Sequence, residues 1–108
     1  MAYKTHNDAD TDIMINGCGL VGTINASFQD LFNLFGKPTE GDGYKTDAEW
    51  HIRFDDGTIS VVYNYKDGIN YNGERGTPVE HINQWHVGGK SIKALYHVYD
   101  LLARSKYA

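Results

Sequence analysis

Hydrophobic and polar residues alternate most strictly in the middle of the chain. Trp50, Ile52 and Phe54 interleave with Glu49, His51 and Arg53, a period of two that gives a strand one apolar face. Asp56-Gly57 follows, a dipeptide suited to a hairpin because glycine accepts positive φ at little cost. Ile59, Val61, Tyr63 and Tyr65 then occupy one face of a returning strand, with Ser60, Val62 and Asn64 on the other. A hairpin with arms at 48–54 and 58–65 is the clearest expectation.

Upstream, Phe28, Leu31, Phe32 and Phe35 recur at helical spacing. Ser27, with Asp30 three residues on, has the form of a capping box. Gly36 and Pro38 stop the helix, which is expected over 27–35. Residues 13–22 read as extended, since Ile13 and Ile15 share a face and three glycines oppose a helix. Residues 66–83 lack any period and contain Gly68, Gly73, Gly76, Asn70, Asn72 and Pro78, the composition of a long loop. A short strand at Gln84-Trp85-His86-Val87 ends at Gly88-Gly89. A closing helix over 91–105 would face inward with Ile92, Leu95, Val98, Tyr99 and Leu102.

The resulting order is β-α-β-β-β-α. It predicts an α+β fold, two helices packed on an antiparallel sheet of about four strands. Residues 1–12 are polar, with Asp8, Asp10 and Asp12 in alternation, and are expected to form a mobile arm. Residues 13–108 then make a single α+β domain.

Composition narrows the function more than the fold. At 108 residues the chain is too short for a TIM barrel, a complete dinucleotide-binding enzyme or a protein kinase. Its hydrophobic fraction of 41% builds a core without staples, and no window has the apolar length of a membrane span. The first residues carry no apolar signal region. The one cysteine, Cys18, rules out an intrachain disulfide. A soluble protein of a reducing cytoplasm is expected, with no membrane partner.

The net charge of −4 argues against general nucleic-acid binding, whose footprint is basic. The charge is uneven. Residues 1–57 hold ten acids and four bases, whereas residues 58–108 hold four acids and six bases. The second half can therefore present one face that attracts anions. Eight tyrosines and twelve glycines fit a surface where amphipathic rings and pliable backbone recognise ligands.

Most familiar motifs fail on inspection. Gly17-Cys18-Gly19-Leu20-Val21-Gly22 matches a dinucleotide fingerprint by letter, but the next helix starts about five residues late and no parallel crossover follows. Asp8, Asp10 and Asp12 resemble a calcium loop, yet Ile13 and Gly19 stand where Gly and Glu are required. His6, His51, His81, His86 and His97 lack metal-ligand spacing, and Cys18 in an apolar strand reads as inert. No catalytic residue, metal or cofactor is assigned.

Two stretches remain. Gly88-Gly89-Lys90-Ser91 resembles the end of a phosphate loop, although Gln84 replaces its first glycine. Glycine amides before a helix, with Lys90 nearby, can still hold an anion. The loop from Tyr65 to Gly73 offers rings, amides and Lys66, a mixture that stacks on a flat ring and bonds its edge. The candidate ligand-binding set is thus Tyr63, Asn64, Tyr65, Lys66, Tyr71, Trp85, His86, Gly88, Gly89, Lys90 and Ser91.

The run from Phe35-Gly36-Lys37-Pro38 through Glu49-Trp50 carries a resemblance, together with Asn25-Ala26-Ser27-Phe28, Phe54-Asp55-Asp56-Gly57-Thr58, Tyr63-Asn64-Tyr65-Lys66-Asp67-Gly68 with Asn70-Tyr71, and Trp85-His86-Val87-Gly88-Gly89. Over roughly residues 16–100 the chain resembles small accessory proteins of tailed bacteriophages. The resemblance implies a phage origin and action in the bacterial host cytoplasm, with no active site to carry over. Such proteins commonly counter host defence. The leading expectation is a sponge that sequesters a nucleotide-derived immune signal without cleaving it, as a homo-oligomer with shared sites. One alternative is a stoichiometric inhibitor of a host defence protein, docking through Asp8, Asp10, Asp12, Asp30, Glu40, Asp42 and Asp47. A second is a small phosphodiesterase using His51, His81 or His86 as general base.

Overall fold

Apolar residues at a period of two, read from the sequence, settle into strands whose inward faces meet two amphipathic helices. The computed structural model describes residues 2–9 and 12–107. Strands β1 (Tyr3–Thr5), β2 (Gly19–Asn25), β3 (Glu49–Phe54), β4 (Ile59–Tyr63) and β5 (Gln84–Gly89) form one antiparallel sheet in the order β1-β3-β4-β5-β2. Helices α1 (Phe28–Phe35) and α3 (Lys93–Tyr107) pack on one side of it, and α2 (Ile69–Asn72) is a single turn. The fold is α+β, as expected. It has one strand and one helix more than the sequence pattern predicts, in the order β-β-α-β-β-α-β-α.

The extra strand lies in the segment read as a polar arm. Tyr3, Lys4 and Thr5 pair with Phe54, Arg53 and Ile52 at the edge of the sheet. Three residues are too few for alternation to register, and polar side chains are normal on an edge. Tyr3 is anchored further by its hydroxyl, which donates to Leu34 O at 2.6 Å. Asp10 and Thr11 lie outside the described residues. The second strand begins later than expected. Gly17, at φ +82°, turns the chain, and Cys18 N–H closes that turn on Ile15 O at 3.1 Å. Pairing therefore starts at Gly19 and runs on to Asn25.

Helix α1 begins where the capping box predicts. Asp30 N–H donates to Ser27 Oγ at 3.0 Å, and Ser27 N–H donates to Asp30 Oδ2 at 3.2 Å. Leu31 and Phe35 are buried, but Phe32, from the same predicted stripe, is 41% exposed. Likewise Leu95, Val98 and Leu102 of α3 are buried while Ile92 and Tyr99 face outward. Gly22 lets α3 approach, since a Cβ there would come within 2.6 Å of Leu95 Cδ2. That contact gives the third glycine of the apparent fingerprint a packing role.

The hairpin turns on Asp55-Asp56-Gly57, with Gly57 at φ +87° and Phe54 N–H bonded to Thr58 O at 2.9 Å. A three-residue turn closing on a left-handed glycine sets the register. Trp50 faces Val62 and Ile52 faces Ser60, so the inward side of β4 is Ser60 and Val62, with Asn64 beyond. Ser60 survives burial by donating to Ala94 O at 2.8 Å. Trp50 and Trp85 meet edge to face at 5.3 Å and clamp both ends of α1. Trp85 Nε1 donates to Ala26 O at 3.0 Å, and Trp50 Nε1 donates to Gly36 O at 2.8 Å.

The loop expected over 66–83 is shorter on freedom than its composition suggests. It contains α2 and two 3-10 turns, at Gly73–Arg75 and Val79–His81. Asn64 holds its start. Its Oδ1 accepts from Asp47 N–H at 2.7 Å and Ala48 N–H at 3.1 Å, while its Nδ2 donates to Asp47 Oδ1 and Asp67 Oδ1, both at 2.9 Å. An amide is the group that can both accept from backbone and donate to carboxylates here. Asn64→Ala should lower the unfolding free energy by about 2–4 kcal/mol, because two backbone donors lose their acceptor. Asn64→Asp should also destabilise, since it sets a third carboxylate against two. Urea denaturation checks both, and a neutral result for either variant would contradict this account.

Candidate functional site

The alternation that turns Trp50, Val62 and Val87 toward the helices turns their neighbours Glu49, Tyr63, His86 and Gly88 the other way. Glu49 stands opposite Tyr63, and Tyr63 opposite His86, across three adjacent strands. Residues 15–18 and 42–46 border this second face. Between them lies a cleft of about 250 Å³ lined by Ile15, Cys18, Asp42, Thr46, Glu49, Val61, Tyr63, Tyr65 and Gly88. A hollow of about 370 Å³ shares Tyr63 and Tyr65 with it and adds Leu20 and His86.

Aromatic rings form the common wall. Tyr63 and His86 stack at 5.6 Å and 23°. Tyr65 stands edge-on to both, 6.4 Å from Tyr63 and 5.8 Å from His86. Gly88 lies on the floor of the cleft, where a Cβ would make an ordinary contact 3.6 Å from the Tyr63 ring. His86 Nδ1 is buried with no hydrogen-bond partner among the described residues. An unmade bond of this kind costs about 1–3 kcal/mol and calls for a functional explanation.

Burial pushes the Tyr63 phenol above its ordinary range, helped by the nearby charge of Glu49 and by Tyr65. Burial likewise raises the Cys18 thiol, more than Lys90 lowers it, so the thiol is not activated. Asp42 goes the other way. The backbone N–H groups of Tyr44 and Thr46 hold its carboxyl below the usual range, with Asp42 Oδ1 accepting from them at 2.8 and 3.0 Å.

Lys66 marks the rim. It has φ +62°, the one non-glycine at positive φ among the described residues. Lys66 N–H donates to Lys45 O at 2.8 Å, and Asn72 Nδ2 donates to Lys66 O at 2.9 Å. So fixed, Lys66 Nζ lies 5.2 Å from the Tyr65 ring centre and 5.6 Å from that of Tyr71. Tyr71 in turn contacts Tyr44 at 5.2 Å.

Of the candidate residues, the structure therefore gathers Tyr63, Tyr65, His86 and Gly88 onto one face, where Gly88 lines the cleft, His86 the adjoining hollow and the two tyrosines both, with Lys66 and Tyr71 beside them. Three others are turned away. Trp85 is fully buried on the helix side, Asn64 is the buried amide described above, and Gly89 packs against Ala94. Gly88 and Gly89 are strand residues, and the helix starts only at Lys93. The expected anion cradle is thus not a glycine loop opening a helix. Lys90 and Ser91 instead line a smaller hollow of about 120 Å³ with Gly57, Thr58 and Ile59.

The acids proposed as a docking face are largely committed locally. Asp8 accepts from Thr5 N–H, Asp30 caps α1, Asp42 closes its turn, and Asp47 binds Asn64 and Asn70. His6 and His51 meet edge to face at 5.7 Å, and each is engaged by its own partner. His6 Nε2 donates to Lys37 O, His51 Nε2 to Glu49 Oε1 and His97 Nε2 to Asp56 Oδ2. Among the described residues no three His, Cys, Asp or Glu side chains converge as metal ligands, and no helix is long and apolar enough to cross a membrane.

Glu49, Asp42, Thr46 and Cys18 line the cleft but were not among the candidates. For Glu49 the signal existed in the hairpin register, which places it opposite Tyr63. For Asp42 and Cys18, brought in by loops, none did. No protein-family model matches the chain, and no curated protein matches it.

Two measurements test this geometry. Lys66→Gly should be more stable than Lys66→Ala by about 1 kcal/mol, since glycine relieves the left-handed backbone; equal urea midpoints would contradict the strain. Tyr63 should ionise above the ordinary tyrosine range in an NMR titration, and Glu49→Gln should lower its midpoint. The neutral phenol is the favoured form, so the associated stability is full below that range and is lost as pH rises through the higher folded value.

Proposed function

We propose that this protein binds, without turning it over, a small molecule that carries a nucleobase. The observation behind this reading is the aromatic wall of Tyr63, Tyr65 and His86 that runs along two adjoining hollows. Flat rings stack on such a wall, and each base–aromatic contact is worth about 1–3 kcal/mol. A cleft of about 250 Å³ holds a ring system and leaves the rest of the ligand outside. A second copy of the chain closing over that remainder would complete the site, in keeping with a homo-oligomer.

The resemblance to small phage proteins supplies the biological role. The ligand is then a nucleotide-derived immune signal, and the protein withdraws it from circulation in the host cytoplasm. Sequestration fits the chemistry of the cleft better than hydrolysis. Cys18 is held as a thiol, His51 is bonded to Glu49, His81 lies on an exposed 3-10 turn, and His86 stacks on Tyr63 with its Nδ1 buried away from solvent.

Calorimetry with nucleosides, mononucleotides, cyclic dinucleotides and ADP-ribose-type compounds tests the reading. Heat should appear with at least one, the ligand should be recovered intact by native mass spectrometry, and Tyr65→Ala should weaken binding about tenfold or more. Silence across the panel would overturn the proposal, and conversion of the ligand to a product would replace it with catalysis.

A further inference from the structure

We infer that the ring entering the cleft is one whose edge carries adjacent N–H donors, as guanine does, and that Glu49 is the group that reads it. The inference rests on the nucleobase reading above and adds which base is preferred. The charged side chains lining the cleft are Asp42 and Glu49, with no lysine or arginine among the described lining residues. A phosphate drawn in beside two carboxylates would be repelled, whereas a neutral ring offering donors would be attracted. The ring goes inward and the phosphates stay outside.

The two acids are not equivalent. Asp42 Oδ1 already accepts from the N–H groups of Tyr44, Lys45 and Thr46 and from the Thr46 hydroxyl. Its lone pairs there serve its own turn. Glu49 Oε1 accepts one bond, from His51 Nε2 at 3.1 Å, and a carboxylate offers about four acceptor positions. Glu49 also stands opposite Tyr63 in the β3–β4 pairing, and its charge is felt by the Tyr63 phenol. A base stacked on the tyrosine wall therefore presents its edge, not its face, to this carboxylate.

Guanine places N1–H and the N2 amino group side by side, matching both oxygens of a carboxylate. Adenine sets its amino group beside the bare N1 acceptor, which the carboxylate repels. Inosine keeps N1–H and lacks the amino group. Outside, Lys66 is the cation next to the Tyr65 wall, 5.2 Å from its ring centre, where it can meet a phosphate.

Titration of the native protein with guanosine, inosine and adenosine, followed by NMR, decides the matter. Guanosine should bind about tenfold or more tighter than adenosine, the discrimination of a bidentate pair, with inosine between them. Glu49→Gln should abolish that preference, and its Tyr63 titration confirms that the variant is folded. Equal affinities, an adenosine preference, or a guanosine preference intact in Glu49→Gln would overturn this inference and leave nucleobase binding standing. No response to any of the three nucleosides would overturn this inference too, while heat from a nucleotide in the calorimetric panel would keep the broader reading.

Discussion

Asn64 has both ends of its amide engaged, and the effect reaches the whole face of the sheet that bears the cleft. Its oxygen gathers the N–H groups of Asp47 and Ala48, and its nitrogen ties Asp47 to Asp67. Around that knot, Lys66 N–H reaches Lys45 O, and Asn70 bonds to both Asp47 and Thr46. Two loops far apart in sequence thereby become one border of the cleft. The ends of β3 and β4 supply the aromatic and acidic groups, but this buried side chain decides where their surroundings stand. Buried polar networks of this kind are valuable only when complete, and Asn64 is complete.

The remainder of the molecule divides along the sheet. One side is dry and held by the crossed indoles of Trp50 and Trp85, each fastened to one end of α1. The other is polar, left-handed at Lys66 and, among the described residues, without a hydrogen-bond partner at His86 Nδ1. Small domains have little stability in reserve, so the dry side carries most of the load of folding. Two carboxylates inside the cleft and the Lys66 ammonium beside the Tyr65 ring give that face its polarity.

Legibility in the sequence followed the strength of the periodic signal. The hairpin and α1 were readable because alternation, a capping box and a turn glycine agreed. β1 was not, since three polar edge residues carry no period. On β4 hydrophobicity favoured the face of Ile59, Val61 and Tyr63, but pairing with Trp50 and Ile52 put Ser60, Val62 and Asn64 inside instead. A similar limit holds for the candidate residues. Tyr63 and Tyr65 were candidates for their rings and Gly88 for its place in a phosphate-loop-like run, and all three line the cleft, whereas Trp85 and Asn64 were included for chemistry that their burial withholds. The expected phosphate cradle at Gly88–Ser91 gave way because both glycines belong to β5, with Gly89 packed against Ala94 and the helix starting only at Lys93.

Because α1 and α3 cover a single side of the sheet, inward and outward positions on β3, β4 and β5 answer to separate demands. Exchanging Tyr63 or His86 alters the outward surface, while Val62, Trp85 and Val87 between them keep the interior filled. Such a scaffold lets the outward face drift within a lineage at nearly constant melting temperature. Descendants would then share their tryptophans and buried valines yet differ in the chemistry they display.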